Sequence, residues 1–195
     1  MKKYLLWLLL CISSSIAYAD EEDWYTYWAI GTVNHDYPGG LNPELDSLEA
    51  LPGVDRTETA FDMFGFYWPQ SENSLLGFVI SGSVDRFESR FSELQITQNL
   101  LGISGMRFFG SEIGDGFFVR VDAGLAQVTL EDSFLTVTSE RGFGYLLGVG
   151  YAFPVSNESR ILVGVSFSDK QVNFPNGRVG NSNWKSTTFT VGGLW

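Results

Sequence analysis

Eight stretches of this sequence alternate large apolar residues with small or polar ones at a period of two. After Ala19 no apolar run is long enough to cross a bilayer as a helix. Period two is the signature of strands, because successive side chains point to opposite faces. The predicted strands run 24–35, 57–68, 75–87, 94–109, 116–130, 140–153, 160–173 and 184–195. In "FFVRVDAGLAQVT", Phe117, Val119, Val121, Ala123 and Leu125 share one face, and Phe118, Arg120, Asp122, Gly124 and Ala126 share the other. The seventh stretch sets Ile161, Val163, Val165 and Phe167 against Leu162, Gly164, Ser166 and Ser168. The sixth sets Phe143, Tyr145, Leu147 and Val149 against Gly142, Gly144, Leu146 and Gly148, and the third sets Leu76, Phe78, Ile80 and Val84 against Val79, Ser81, Ser83 and Asp85. The first two stretches carry aromatics on both faces, and their facing stays open.

A soluble barrel fills its interior with the large apolar face. Here the opposite face is glycine-rich and polar, with Arg120 and Asp122 in mid-strand, which suits a barrel turned inside out toward lipid. Strands of nine or more residues match a tilted crossing of the bilayer. The alternative is a secreted soluble barrel or sandwich. Turn lengths favour lipid. "PQSEN", "GSEIGDG" and "PVSNES" are short and rich in turn formers, and the connections at the other end are longer on average. An even strand number puts both termini at the short-turn, periplasmic end. There Trp24, Tyr25, Tyr27, Trp28, Tyr67, Trp68, Phe108, Phe109, Phe117, Phe118, Phe153 and Trp195 are expected to form an interfacial girdle.

The first nineteen residues, "MKKYLLWLLLCISSSIAYA", have two lysines, a short apolar core and small residues around Ala17 and Ala19. They read as a secretory signal peptide, leaving 20–195 as one barrel domain. Cys11 is the only cysteine, so the exported part has no disulfide. The chain carries 12 basic against 23 acidic residues, a net charge of −11, which argues against a nucleic-acid partner.

The closing run "STTFTVGGLW" places Phe189, Val191 and Trp195 on one face. It resembles the C-terminal signal of bacterial outer-membrane β-barrels, with Gly193 where that family usually has a larger apolar residue. Together with the pattern of the whole exported chain, it resembles the small eight-stranded barrels of the OmpA/OmpX type. The resemblance implies an all-β, up-and-down antiparallel transmembrane barrel in the outer membrane. It also implies that the assembly machinery reads Phe189, Val191 and Trp195. No C-terminal peptidoglycan-binding domain is expected.

Chemistry is sparse. His35 is the sole histidine and could act as a base for Ser81 or Ser83, but the expectation is a solvated rim residue, with no enzyme activity, metal or cofactor. Inward charges at Asp62, Arg107, Arg120 and Asp122, with Arg160 near the periplasmic end, are expected to pair and fill the lumen, because unpaired charges in a closed interior are costly. Arg56, Arg86, Arg90, Arg141, Arg178 and Lys185 cluster toward the outer end and are expected to meet lipopolysaccharide phosphates. The first outer loop predicts a two-turn helix with Asn42 as N-cap, Pro43 in its first position and Leu45, Leu48 and Leu51 on one face packed on the barrel rim. The expected role is structural or surface-interacting, in a monomer surrounded by outer-membrane lipid. A lipid A acyl-chain enzyme and a small-molecule conduit are the alternatives.

Overall fold

The computed structural model describes residues 24–90, 92–156, 158–175 and 181–195; the predicted leader and Arg178 lie outside the described residues. Nine strands appear in it: β1 (Tyr25–Asp36), β2 (Val54–Ser71), β3 (Ser74–Ser89), β4 (Glu93–Phe108), β5 (Gly116–Asp132), β6 (Thr136–Thr138), β7 (Gly142–Pro154), β8 (Arg160–Asn173) and β9 (Asn181–Leu194). One helix, α1 (Leu41–Glu49), lies in the first outer loop. Eight strands form the wall, each antiparallel to its sequence neighbour in the wall. The three-residue β6 pairs only with the outer tip of β5. β1 pairs with β9 from Tyr27–Leu194 to Asp36–Lys185, which closes the sheet and leaves the wall without an edge. Several strands outrun their predicted limits. β2 starts at Val54, β5 runs to Asp132 and β9 starts at Asn181, since hairpin ladders continue above the apolar belt.

The outward face is the apolar one. Phe78, Ile80, Leu101, Ile103, Val121, Leu125, Phe143, Leu147, Val165 and Phe189 are exposed around the belt, while Asp62, Ser81, Asp85, Ser104, Arg120 and Asp122 are buried inside. That inversion fits a wall standing in lipid and excludes the soluble alternative.

The blurred pattern of β2 has a local cause. Asp62 pairs with Ser81 and Phe64 with Ile80, so Met63 is an extra residue. The same excess appears against β1, where Tyr27 meets Gly65 and Ala29 meets Asp62. This β-bulge switches the inward parity from Asp62 to Gly65 and Tyr67, and leaves Met63 66% exposed.

The expected periplasmic girdle is only half right. Trp24, Trp28, Trp68, Phe109, Phe117, Phe153 and Trp195 are exposed. Tyr27, Tyr67, Phe108 and Phe118 turn inward and form a lower core with Leu75, Met106, Ile113 and Leu162. Consecutive aromatics on a strand cannot share a face, so Phe117 and Phe118 are split between lipid and lumen. An upper core gathers Tyr37, Phe87, Ile96, Leu100, Val128, Leu146, Val172, Phe174 and Trp184 under Leu45 of α1.

The loop helix forms, with its start differently built. Gly40, in the left-handed region at φ 83°, is the N-cap. Asn42 sits inside the first turn. Its Oδ1 accepts from the Tyr37 N–H at 3.0 Å and its Nδ2 donates to Asp36 at 3.0 Å, tying the helix to the end of β1. Leu45 is buried and Leu48 packs on the upper core, but Leu51 lies beyond the helix and is exposed.

Candidate functional site: the charged barrel interior

Between the two aromatic cores, inward positions carry polar groups in three tiers. In the lowest, Arg120 of β5 donates from Nη1 and Nη2 to both oxygens of Asp62 on β2, at 2.6 and 3.0 Å. Its Nε and Nη2 also bond Asp122, two residues along its own strand, at 3.0 and 2.6 Å. Ser104 donates to Asp122, and Tyr67 donates to Ser104 at 2.8 Å. The guanidinium lies 5.2 Å from the centre of the Tyr27 ring. All three charged groups are buried. Two carboxylates take four of the five N–H groups of this planar fork, a form in which charge survives burial.

The structure thus brings Asp62, Arg120 and Asp122 together and leaves Arg107 out. Arg107 is exposed on the outer face of β4 and donates to Ser74 at 2.7 Å. Its neighbours Met106 and Phe108 hold the inward positions, so the period-two rule sends Arg107 outward. Arg160 lies apart, at the periplasmic end, donating to the carbonyls of Ile113 and Ser156 at 3.1 and 3.0 Å and pairing with Glu112.

The middle tier is hydroxylic. Ser166 bonds Thr188 at 2.6 Å, Ser168 bonds Ser186 at 2.8 Å, and Lys170 donates to Ser168 at 2.9 Å and to Gln98 at 3.3 Å. A cavity of ≈ 20 Å³ lies among Ser81, Ser83, Ser166, Lys170 and Thr190, on the scale of one water molecule.

The upper tier contains His35, which is buried rather than solvated. Nδ1 lies 3.0 Å from Glu58 and Nε2 lies 2.9 Å from Ser83 Oγ. Glu58 as a carboxylate can only accept, so Nδ1 carries the proton; in the neutral ring Nε2 then accepts from Ser83. The His35 ring stacks on Tyr37 at 5.2 Å, and Tyr37 donates to Asp85 at 2.7 Å. Burial, then the Asp85 carboxylate, push the Tyr37 phenol well above its ordinary value, so it stays a donor.

Arg56 belongs to this tier and not to the lipid-facing rim. It bonds both oxygens of Asp85 at 2.9 and 2.8 Å, Glu58 at 3.1 Å and, from α1, Glu49 at 3.1 Å. His35, Glu58 and Asp85 offer ligand atoms within 4.8 Å of one another, but both carboxylates already hold the Arg56 guanidinium. The inward parity of Ser83 and Asp85 was readable in the sequence; their meeting with His35 and Arg56 depends on register across three strands.

Of the other outer cations, Arg86 pairs with Glu93 at 2.7 Å and Glu88 at 3.3 Å, and Arg90 and Arg141 are exposed. Lys185 is half-buried opposite Asp169. At the seam, Trp195 extends the ladder. Thr26 N–H donates to its carbonyl at 2.7 Å, and its N–H donates to Thr26 at 3.1 Å. Phe189 and Val191 face outward in the belt, and the Trp195 ring meets Trp28 edge-on at 6.3 Å.

Comparison with solved structures matches this architecture. Neisserial surface protein A aligns over 88% of this chain and 95% of its own, at 11% identity and a TM-score of 0.50. The chain has the fold of the small eight-stranded outer-membrane barrels. Also similar are Ail, the attachment invasion locus protein of Yersinia pestis, at 10% identity over 89% of this chain and all of its own with a TM-score of 0.47, and the outer-membrane protein AlkL, at 14% identity over 92% and 95% with a TM-score of 0.42. No family model matches the sequence, and no curated protein matches it.

Proposed function

We propose that this protein is an outer-membrane barrel with a filled lumen, acting as a structural or surface-interacting element rather than as a pore or an enzyme. The observation that carries this reading is Arg120 held between Asp62 and Asp122 across the barrel, with a bulky aromatic core below it and another above. Two carboxylates hold this guanidinium in mid-lumen through four of its five N–H groups, which leaves little for a passing solute to bind. The fold shared with outer-membrane barrels supports the location, and the apolar belt supports surrounding lipid and a monomer. The seam at Trp195 supports the reading that the assembly machinery engages Phe189, Val191 and Trp195. Purified protein in planar bilayers is expected to show no steady porin-like current; such currents would replace this reading by the conduit.

A second reading rests on the Ser83–His35–Glu58 relay, whose spacings are those of a nucleophile, base and orienting carboxylate. Against it, Ser83 is 2% exposed and adjoins space for about one water, too little for an acyl ester to reach it. Lipid A from cells with and without the protein is expected to have the same acyl pattern by mass spectrometry. An altered pattern lost in Ser83→Ala would favour the enzyme.

A further inference from the structure

The outer face carries a sharp change of chemistry on β3, β4, β5 and β7. One rung runs Ile80–Leu101–Leu125–Phe143, paired in that order. Two residues further outward, Asn99 pairs with Gln127, and Arg141 stands beside Gln127 just before β7. Beyond them the outward residues of β4 and β5 are polar: Thr97 and Gln95, Thr129 and Glu131. This is where the wall leaves the hydrocarbon. A groove of ≈ 220 Å³ lies at that boundary, lined by Ile80, Leu101 and Leu125 below and by Asn99, Gln127 and Arg141 above.

Charge supplies the second observation. The chain has nearly twice as many acidic as basic residues, yet among the described residues Arg141 and Lys185 are the basic side chains with neither an ion pair nor a hydrogen bond. Arg86, farther out, is matched by two carboxylates. An acidic protein that leaves an arginine unmatched at the edge of its apolar belt presents it to an anion held at headgroup depth.

We infer that this groove binds one phosphorylated glycolipid of the outer leaflet, a lipid A, with Arg141 on a phosphate, Asn99 and Gln127 on sugar hydroxyls, and acyl chains laid along Ile80, Leu101 and Leu125. The amides decide between lipid sources. Each has donor and acceptor atoms level with the guanidinium, which matches a sugar carrying both hydroxyl and phosphate. A simple glycerophospholipid would satisfy the arginine and offer the amides far fewer hydroxyl partners. The inference rests on the outer-membrane reading and narrows it from a ring of basic residues to one site.

The test is native mass spectrometry of the full barrel released from phosphatidylethanolamine nanodiscs. These carry equal small amounts of bisphosphorylated lipid A, dephosphorylated lipid A and phosphatidylglycerol. The parent is expected to retain the phosphorylated lipid A about fivefold over either competitor, and Arg141→Ala to lose most of that preference, as removal of a charge-assisted bond predicts. Gln127→Leu is a second variant, expected to lower it about twofold by removing one neutral hydrogen bond. Arg107→Ala, at the opposite end of the barrel, is expected to leave it intact. An unchanged preference in Arg141→Ala, or equal retention of phosphatidylglycerol by the parent, would overturn the inference. Because retention is measured on purified protein, it is independent of cell fractionation, which tests the outer-membrane reading by itself.

Discussion

Arg120 and Asp62, 58 residues apart in sequence, meet inside the barrel through two parallel hydrogen bonds of 2.6 and 3.0 Å, while Asp122 grips the same guanidinium from the neighbouring side. Breaking a buried pair costs more than the pair contributes, because the survivor is left charged without a partner. Arg120→Ala strands two carboxylates together and is expected to lower unfolding stability by about 3–5 kcal/mol. Asp122→Ala leaves Arg120 with Asp62 and is expected to cost less, about 1.5–3 kcal/mol, the range for losing hydrogen bonds to a charged group. Urea unfolding of the barrel in detergent measures both. An Arg120→Ala variant as stable as the parent would contradict the assigned interior.

Met63 is the extra residue of the bulge, and its side chain faces lipid, so Met63→Ala is expected to change stability by less than about 1 kcal/mol. Deleting Met63 leaves Asp62 and Tyr67 an even number of positions apart, so a regular strand turns both inward without the bulge. The deletion variant is expected to keep the heat-dependent gel mobility of a folded barrel. Loss of that mobility would show that the bulge itself is needed for β2 to pair with both neighbours.

At the seam, removal of Trp195 deletes two backbone hydrogen bonds to Thr26 and the aromatic contact with Trp28. Removal of Phe134, 96% exposed at an outer turn, deletes neither. Membrane levels are expected to fall several-fold for the first and little for the second, read by immunoblot of outer-membrane fractions. Equal levels would separate Trp195 from assembly.

His35→Ala leaves Glu58 and Ser83 each without one partner, and Tyr37 without its stacked neighbour. Loss of a buried hydrogen-bonding side chain of this kind costs about 1–3 kcal/mol. Lipid A composition is expected not to change. A stable variant with an altered acyl pattern would instead assign His35 to catalysis.

How far the sequence carries depends on what each feature needs. Alternation in β3, β5, β7, β8 and β9 is local, because a strand turns its side chains by half a revolution per residue whatever surrounds it. Strand number and the inward setting of Arg120 and Asp122 therefore followed from spacing, while the barrel class also drew on turn lengths and on the resemblance of the closing run. The same rule was available for Arg107, between Met106 and Phe108, and for the consecutive aromatics Phe117 and Phe118. The bulge at Met63 was not legible, since one extra residue shows only against the partners of β1 and β3. The fates of His35 and Arg56 were also hidden. Their parity puts them inside, but only the register of β1, β2 and β3 sets His35 between Glu58 and Ser83, and Arg56 between Asp85 and Glu49 of α1. The sequence by itself determined which side chains face lipid on the regular strands, because that is a property of one strand's backbone. Which charges meet across the lumen was decided only by closure, because a partner 58 residues away comes within bonding distance through the stagger of every strand between.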